Sequence, residues 1–268
     1  MCIHSFLRIR LKVFQVYIGR MTYNFSRKFK SFRNLASFLS GFRIYNRHFS
    51  PALQQTSLMN IQAIPLGPFE TNAYLCWLDD QPDAVLFDAP PGAGEYLPSL
   101  LAEKNLKLTD VYLTHGHWDH FAGLSQMDQE SFTTWLHEED RVMVENPEVA
   151  RAYVPAQIPL IPAKVDKVLE EGETIEILGL QVELRHVPGH CPGSILFYFA
   201  ELNMAIVGDA IFRGSIGRTD LPGGDFEVLE KSIKQHIYTL PPDTRLLPGH
   251  GPETRVAFEM QYNPFVRP

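Results

Sequence analysis

The segment Thr114-His115-Gly116-His117-Trp118-Asp119-His120 constrains this chain more than any other stretch of it. Three histidines and an aspartate fall within six positions, directly after the apolar run Val111-Tyr112-Leu113. Imidazole nitrogen and carboxylate oxygen are the usual ligands of zinc and similar divalent ions. A strand sends alternate side chains to one face, and a loop or helix start then redirects those that follow. His115 and His117 can therefore reach one ion, and Asp119 and His120 a neighbouring one. A surface loop that merely happened to be rich in histidine would be polar throughout, not mounted on an apolar strand.

Three later pieces complete a shell. His190 sits in Pro188-Gly189-His190-Cys191-Pro192-Gly193-Ser194, where glycine and proline set a tight turn at a strand end. Asp209 follows the apolar run Ala205–Val207 in Gly208-Asp209, a position suited to a carboxylate bridging two ions. His250 lies in Pro248-Gly249-His250-Gly251, again a short apolar run followed by a rigid turn. Each piece alone is weak, since an aspartate at a strand end is more often a turn former. Together they offer seven donors for two ions, each at a strand-to-loop junction.

The rest of the pattern supports a mixed α/β body. Strands are predicted at Ile61–Leu66, Ala73–Leu78, Ala84–Asp88, Asp110–Thr114, Ser194–Phe199, Met204–Val207 and Arg245–Leu247, with a hairpin of Thr174–Leu178 and Gln181–His186 about Gly179. Helices are predicted at Glu95–Glu103, Phe121–Met127, His137–Val144, Phe226–His236 and Glu253–Met260. Prolines 147, 155, 159 and 162 make 146–164 an irregular loop, and such loops are often functional. Strands and helices recur twice in similar order, which points to two β-rich halves packed face to face with helices outside.

Charge is spread unevenly. Residues 1–58 hold ten of the 24 Lys and Arg residues and none of the 31 Asp and Glu, so residues 59–268 carry a net charge of −17. An acidic body argues against wrapping nucleic acid, whose phosphates need compensating cations. No run of eighteen apolar residues appears, so no membrane span is expected. Three cysteines, Cys2, Cys76 and Cys191, lack metal or redox spacing, and a reducing, cytoplasmic setting fits them. The basic segment 1–58 reads as a disordered extension or as sequence upstream of a start at Met59. An organelle transit peptide or a basic arm are the other readings.

The HxHxDH segment, His190, Asp209 and His250 are similar, in chain order across 59–268, to the metallo-β-lactamase superfamily pattern. The nearer resemblance is to glyoxalase II (hydroxyacylglutathione hydrolase) and its short relatives. It rests on Thr-Asn-Ala-Tyr (71–74), Thr-His-Gly-His (114–117), Pro-Gly-His (188–190), Gly-Asp (208–209), Gly-Arg-Thr-Asp-Leu-Pro-Gly-Gly-Asp (217–225), Pro-Gly-His-Gly (248–251) and Asn-Pro-Phe (263–265). This resemblance implies an αββα sandwich of two mixed sheets flanked by helices, with the site along one edge of the sheets. It also implies one ion on His115, His117 and His190, a second on Asp119, His120 and His250, and Asp209 between them. Zinc is the ion expected, with iron or manganese as alternatives. Two departures stand out: the C-terminal helical domain that binds glutathione in glyoxalase II is not found after Pro264, and Cys191 stands where threonine is common. The cysteine is read as a small-residue exchange.

No Gly-x-Ser-x-Gly elbow is present, so the expected nucleophile is metal-bound hydroxide attacking a thioester or ester carbonyl. Asp119 and Asp209 are the expected catalytic carboxylates, and Arg218 is the candidate cation for an acidic small-molecule substrate. The competing role for Arg218 is a salt bridge with Asp220 or Asp225. His137 and His236 are expected on the surface, and His186 is a candidate for orienting a ligand. The principal alternative activity is a mononuclear iron persulfide dioxygenase, a family whose Gly-Arg-Thr-Asp string is also similar. A phosphodiester-cleaving relative is disfavoured by the acidic body, and a non-catalytic binding module by the complete donor set.

Overall fold

A computed structural model describes residues 59–268. The expectations for 1–58 lie outside the described residues. Six strands form the first sheet in the order β1 (Asn60–Leu66), β2 (Thr71–Trp77), β3 (Asp83–Phe87), β4 (Lys107–Tyr112), β5 (Thr133–His137) and β6 (Lys167–Leu169). Strands β1 to β3 are antiparallel neighbours, and β3 to β6 run parallel. The second sheet holds β7 (Thr174–Ile177), β8 (Leu180–His186), β9 (Ile195–Phe199), β10 (Met204–Gly208), β13 (Arg245–Pro248) and β14 (Thr254–Arg255), with β13 parallel to β10. A short hairpin of β11 (Ile211–Phe212) and β12 (Ser215–Ile216) stands apart.

Alternation along the strands explains the layering, because successive side chains leave opposite faces of a sheet. In β2 and β3, Tyr74, Cys76, Val85 and Phe87 point into the space between the sheets, while Ala73, Leu75, Ala84 and Leu86 point outward. The outward set packs on α1 (Ala93–Lys104) through Leu97 and Leu100, and on Trp118 and Phe121 of the single turn α2 (Trp118–Phe121). In the second sheet Ile195, Phe197, Phe199 and Ile206 face inward, and Leu196, Tyr198, Ala205 and Val207 face outward. That outer face is covered by Leu229 of α4 (Phe226–Ser232), by Ile233 and Ile237 of the wider turn that continues it, and by Val256 of α5 (Val256–Tyr262). The result is the αββα order that the sequence predicts. Both faces of both sheets are buried, so the central strands read as nearly unbroken apolar runs.

The elements differ from the sequence expectation in instructive places. The predicted helix His137–Val144 is replaced by the end of β5, a 3-10 turn at Glu138–Asp140 and the short α3 (Arg141–Glu145). Strands β5 and β6 carry no strong local signal. They are short and parallel, and their paired residues lie 23 to 32 positions away in the chain. The predicted helix at 121–127 is a 3-10 segment, Ala122–Gln126, after the α2 turn. Residues 146–164 are largely irregular, as expected, around a 3-10 stretch at Pro147–Tyr153. The hairpin between β7 and β8 turns on Leu178 and Gly179, at φ 51° and 79°, the left-handed pair that a two-residue connection needs.

Candidate metal centre

Four strand ends deliver the predicted donors to one edge of the sandwich. The loop and α2 turn after β4 carry His115, His117, Asp119 and His120; the loop between β8 and β9 carries His190; Asp209 follows β10 and His250 follows β13. The seven side chains do meet. His190 Nε2 lies 2.8 Å from His117 Nδ1 and 3.2 Å from His115 Nε2. His250 Nε2 is 3.3 Å from Asp119 Oδ2, and His120 Nε2 is 3.7 Å from the same oxygen. Asp209 lies between these two groups, with Oδ2 at 3.6 Å from His190 Nε2 and 3.3 Å from His250 Nε2, and Oδ1 at 3.4 Å from His120 Nε2.

The far sides of the rings are held by fixed acceptors. His120 Nδ1 donates to Asp88 Oδ2 at 2.8 Å, His190 Nδ1 to the Arg218 carbonyl at 2.8 Å, and His250 Nδ1 to the Phe69 carbonyl at 3.0 Å. A proton fixed on Nδ1 leaves the Nε2 lone pair aimed at the cluster, the arrangement of metal-ligating histidines. Asp88 also accepts from Thr114 N at 2.8 Å and Thr114 Oγ1 at 2.9 Å, and that hydroxyl lies 3.0 Å from His115 Nδ1. One buried carboxylate thus steadies donors of both groups.

Electrostatics separate the groups. Burial, and then the neighbouring rings, depress His115 well below the usual imidazole range and bring His117 down to about 3. Burial also acts against a charged His120, but Asp209, Asp88 and Asp119 outweigh it and raise that ring well above its ordinary value. His250 is likewise opposed by burial, yet its hydrogen bonds to Asp119 and Asp209 push it up to about 10. Asp209 shows the converse, held well below the carboxylate range by His120 and His250 despite complete burial.

The donor set fits divalent cations. His120 Nε2 and Asp209 Oδ1 are buried with no hydrogen-bond partner, and leaving such atoms unsatisfied costs about 1–3 kcal/mol each. A cation between them removes that cost. Glycine makes the packing possible: a Cβ on Gly249 would stand 2.1 Å from Asp209 Oδ1, and one on Gly208, at φ 50°, would stand 2.7 Å from Thr114 Oγ1.

Other expectations fare differently. Arg218 lines the cavity beside the cluster, but its Nε and Nη2 donate to Asp220 at 2.7 and 2.8 Å. Its backbone carbonyl, not its charge, is what touches His190. His186 has no described hydrogen bond to a donor side chain and acts on the loop that carries His190. Its Nε2 donates to the Pro192 carbonyl at 2.6 Å, and its ring stacks on His137 with centroids 4.5 Å apart. His137 is therefore half-buried at the end of β5 rather than on a surface helix. Cys191 is buried beside Asp140.

Sequence reasoning missed Asp88, Asp140 and the work of the Thr-Asn-Ala-Tyr string. Asp88 carries the same strand-end signal as Asp209 and was available to the same rule. Asp140 accepts from Gly116 N at 2.8 Å and Gly193 N at 2.6 Å, joining the loops that carry His117 and His190. Nothing local marks it within the acidic run Glu138-Glu139-Asp140. Thr71 Oγ1 donates to Asp119 Oδ2 at 3.1 Å. Asn72 Nδ2 and Tyr74 Oη donate to the Pro248 carbonyl at 3.0 and 2.7 Å and so hold the turn bearing His250.

Four strand-end loops bearing five histidines and two aspartates on an αββα sandwich define a metallo-hydrolase fold, and the chain belongs to the metallo-beta-lactamase superfamily, whose family model matches residues 66–250. Among relatives, it is 37% identical over 212 residues to hydroxyacylglutathione hydrolase GloC of Haemophilus influenzae, covering 78% of this chain and 98% of that protein. The crystal structure of BLEG-1 B3 metallo-beta-lactamase is 37% identical, with a TM-score of 0.71 over 77% of this chain and 99% of the other. That of TTHA1623 in a di-iron-bound form is 39% identical, with a TM-score of 0.66 over 76% of this chain and 100% of the other.

Proposed function

We propose that this metallo-hydrolase cleaves thioesters, S-2-hydroxyacylglutathione or a related acyl thiol, in the manner of glyoxalase II. The observation that carries the reading is the convergence of seven donors at one end of a cavity of about 880 Å³. The likeness to GloC supports the bond type. His115, His117 and His190 would hold one divalent ion, Asp119, His120 and His250 a second, and Asp209 would serve both. Zinc is the ion proposed, with iron or manganese as alternatives, and the di-iron form of TTHA1623 keeps iron in view. Bound ions of this kind lower the pKa of water from 15.7 to about 7 and polarise a carbonyl oxygen.

The chain's own residues supply positioning. Asp119 and Asp209 accept hydrogen bonds from the attacking water and orient it toward the carbonyl. Thr71 fixes the Asp119 carboxylate from behind. Water adds to the acyl carbon and the carbon–sulfur bond breaks, giving a carboxylate and a free thiol with release of one proton. Among the described residues lining the cavity, Ser215 is the single serine and no cysteine is present, and Ser215 has no histidine partner among its described hydrogen bonds.

The test is thiol release from S-lactoylglutathione and simpler thioesters by the full chain, with metal content measured on the same sample. Two ions per chain with thioester turnover is the expected result. Absence of thioesterase activity in fully metallated protein would remove the proposal. One iron per chain with oxygen uptake on glutathione persulfide would replace it with a dioxygenase.

A further inference from the structure

The walls of the cavity are more specific than hydrolysis alone requires. The stretch 149–154 contributes Val149, Ala150, Tyr153 and Val154 to the lining, and Phe212 and Leu221 join them. Val149 and Tyr153 are 53% and 52% exposed, so large apolar surface lies open to the cavity. Away from the donor cluster, positive charge on the walls is scarce. Arg218 is the single Lys or Arg among the described residues lining it, and both carboxylate oxygens of Asp220 already engage its guanidinium. Nearby arginines are turned elsewhere: Arg151 donates to the carbonyls of Val154, Pro155 and Ile158, and Arg213 lies over the Phe258 ring.

Glutathione carries two carboxylates, and a site that buries them has to offer cations or other donors to replace their hydration. Apolar walls beside a neutralised ion pair favour the opposite ligand, in which affinity comes from burying hydrocarbon. We propose that the preferred substrates are thioesters joining an apolar acyl chain to an uncharged thiol, bound along the 149–154 wall. This rests on thioester hydrolysis as the reaction.

The experiment uses the full chain loaded with zinc, N-acetylcysteamine thioesters of acetate, butanoate and hexanoate, and S-lactoylglutathione. Expected is a rise in kcat/KM of about fourfold per added methylene, with hexanoyl above S-lactoylglutathione. Val149→Asp should lower kcat/KM for the hexanoyl ester about tenfold, mainly through KM, and lower it for the shorter acetyl ester by a clearly smaller factor. A purely structural effect would lower both alike and overturn the assignment of this wall. Asp220→Asn should release Arg218 and raise turnover of S-lactoylglutathione, not of the hexanoyl ester; no change with either would overturn the role given to the ion pair. Rates flat with chain length, or S-lactoylglutathione preferred, would overturn the substrate class and leave thioester hydrolysis standing. Failure to cleave any of the four would sink the hydrolysis reading itself.

Discussion

The two donor groups sit side by side yet differ in kind. His115, His117 and His190 form a cluster of imidazoles in which burial and mutual repulsion drive His115 and His117 to the neutral form. Asp119, His120 and His250 form a cluster of ions, in which carboxylates hold protons on both rings. In the metal-free protein the positive charge of this second group is carried by protons on His120 and His250. His115 and His117 have no carboxylate of their own to hold a proton in that way, and His117 Nδ1 instead meets His190 Nε2 at 2.8 Å. A metal at the second group has to displace protons from His120 and His250, whereas His115 and His117 are already neutral, so acid competes mainly with an ion at the second group.

Removing the shared residue gives the largest effect. Asp209→Ala should abolish metal-dependent turnover and reduce bound metal at both groups, while circular dichroism still shows a cooperative melt; His117→Ala should also abolish turnover but spare the second ion. Equal loss of both ions in the two variants would break the division into groups. Next, dialysis at falling pH should release metal in two steps, the second-group ion first, by about tenfold in affinity per pH unit for each proton displaced. A single step by elemental analysis would contradict the electrostatic contrast. Asp88→Asn weakens the support of His120 and should cost about 10- to 100-fold in metal affinity, read by chelator competition. Asp140→Asn leaves either Gly116 N or Gly193 N facing an amide NH₂, and should cost about 1–3 kcal/mol in a urea melt.

The smallest effect is a pH dependence of the metal-free protein. His250 is raised from 6.5 to about 10 on folding, so its ion pairs contribute stability that is complete below about pH 6.5 and is lost as pH rises through about 10. The gap in urea midpoint between wild type and His250→Ala, both metal-free, should be wider near pH 6 than near pH 10.5. A gap that widens with pH would show that His250 folds neutral.

Much of the centre is legible in the sequence because each donor sits directly beyond a hydrophobic strand or in a Gly/Pro turn, both of which are local signals. Asp88 carries the same local signal, directly after the apolar run of β3. Asp140 was not, because its meaning lies in two amides, Gly116 N and Gly193 N, separated by 77 positions in the chain and joined only after folding. The same holds for β5 and β6, short parallel strands whose partners are distant.

From its sequence alone the chain determined the chemistry: which side chains can donate to a cation, that alternation buries both faces of the β-strands, and that its body is acidic. Tertiary structure alone decided which carboxylates orient which rings, that Arg218 is taken by Asp220, and that the wall near Tyr153 opens onto the donors. Donor type is a property of a single side chain and can be read one residue at a time. Protonation, charge cancellation and cavity shape are properties of neighbours, and the chain acquires those neighbours only when the two sheets close on each other.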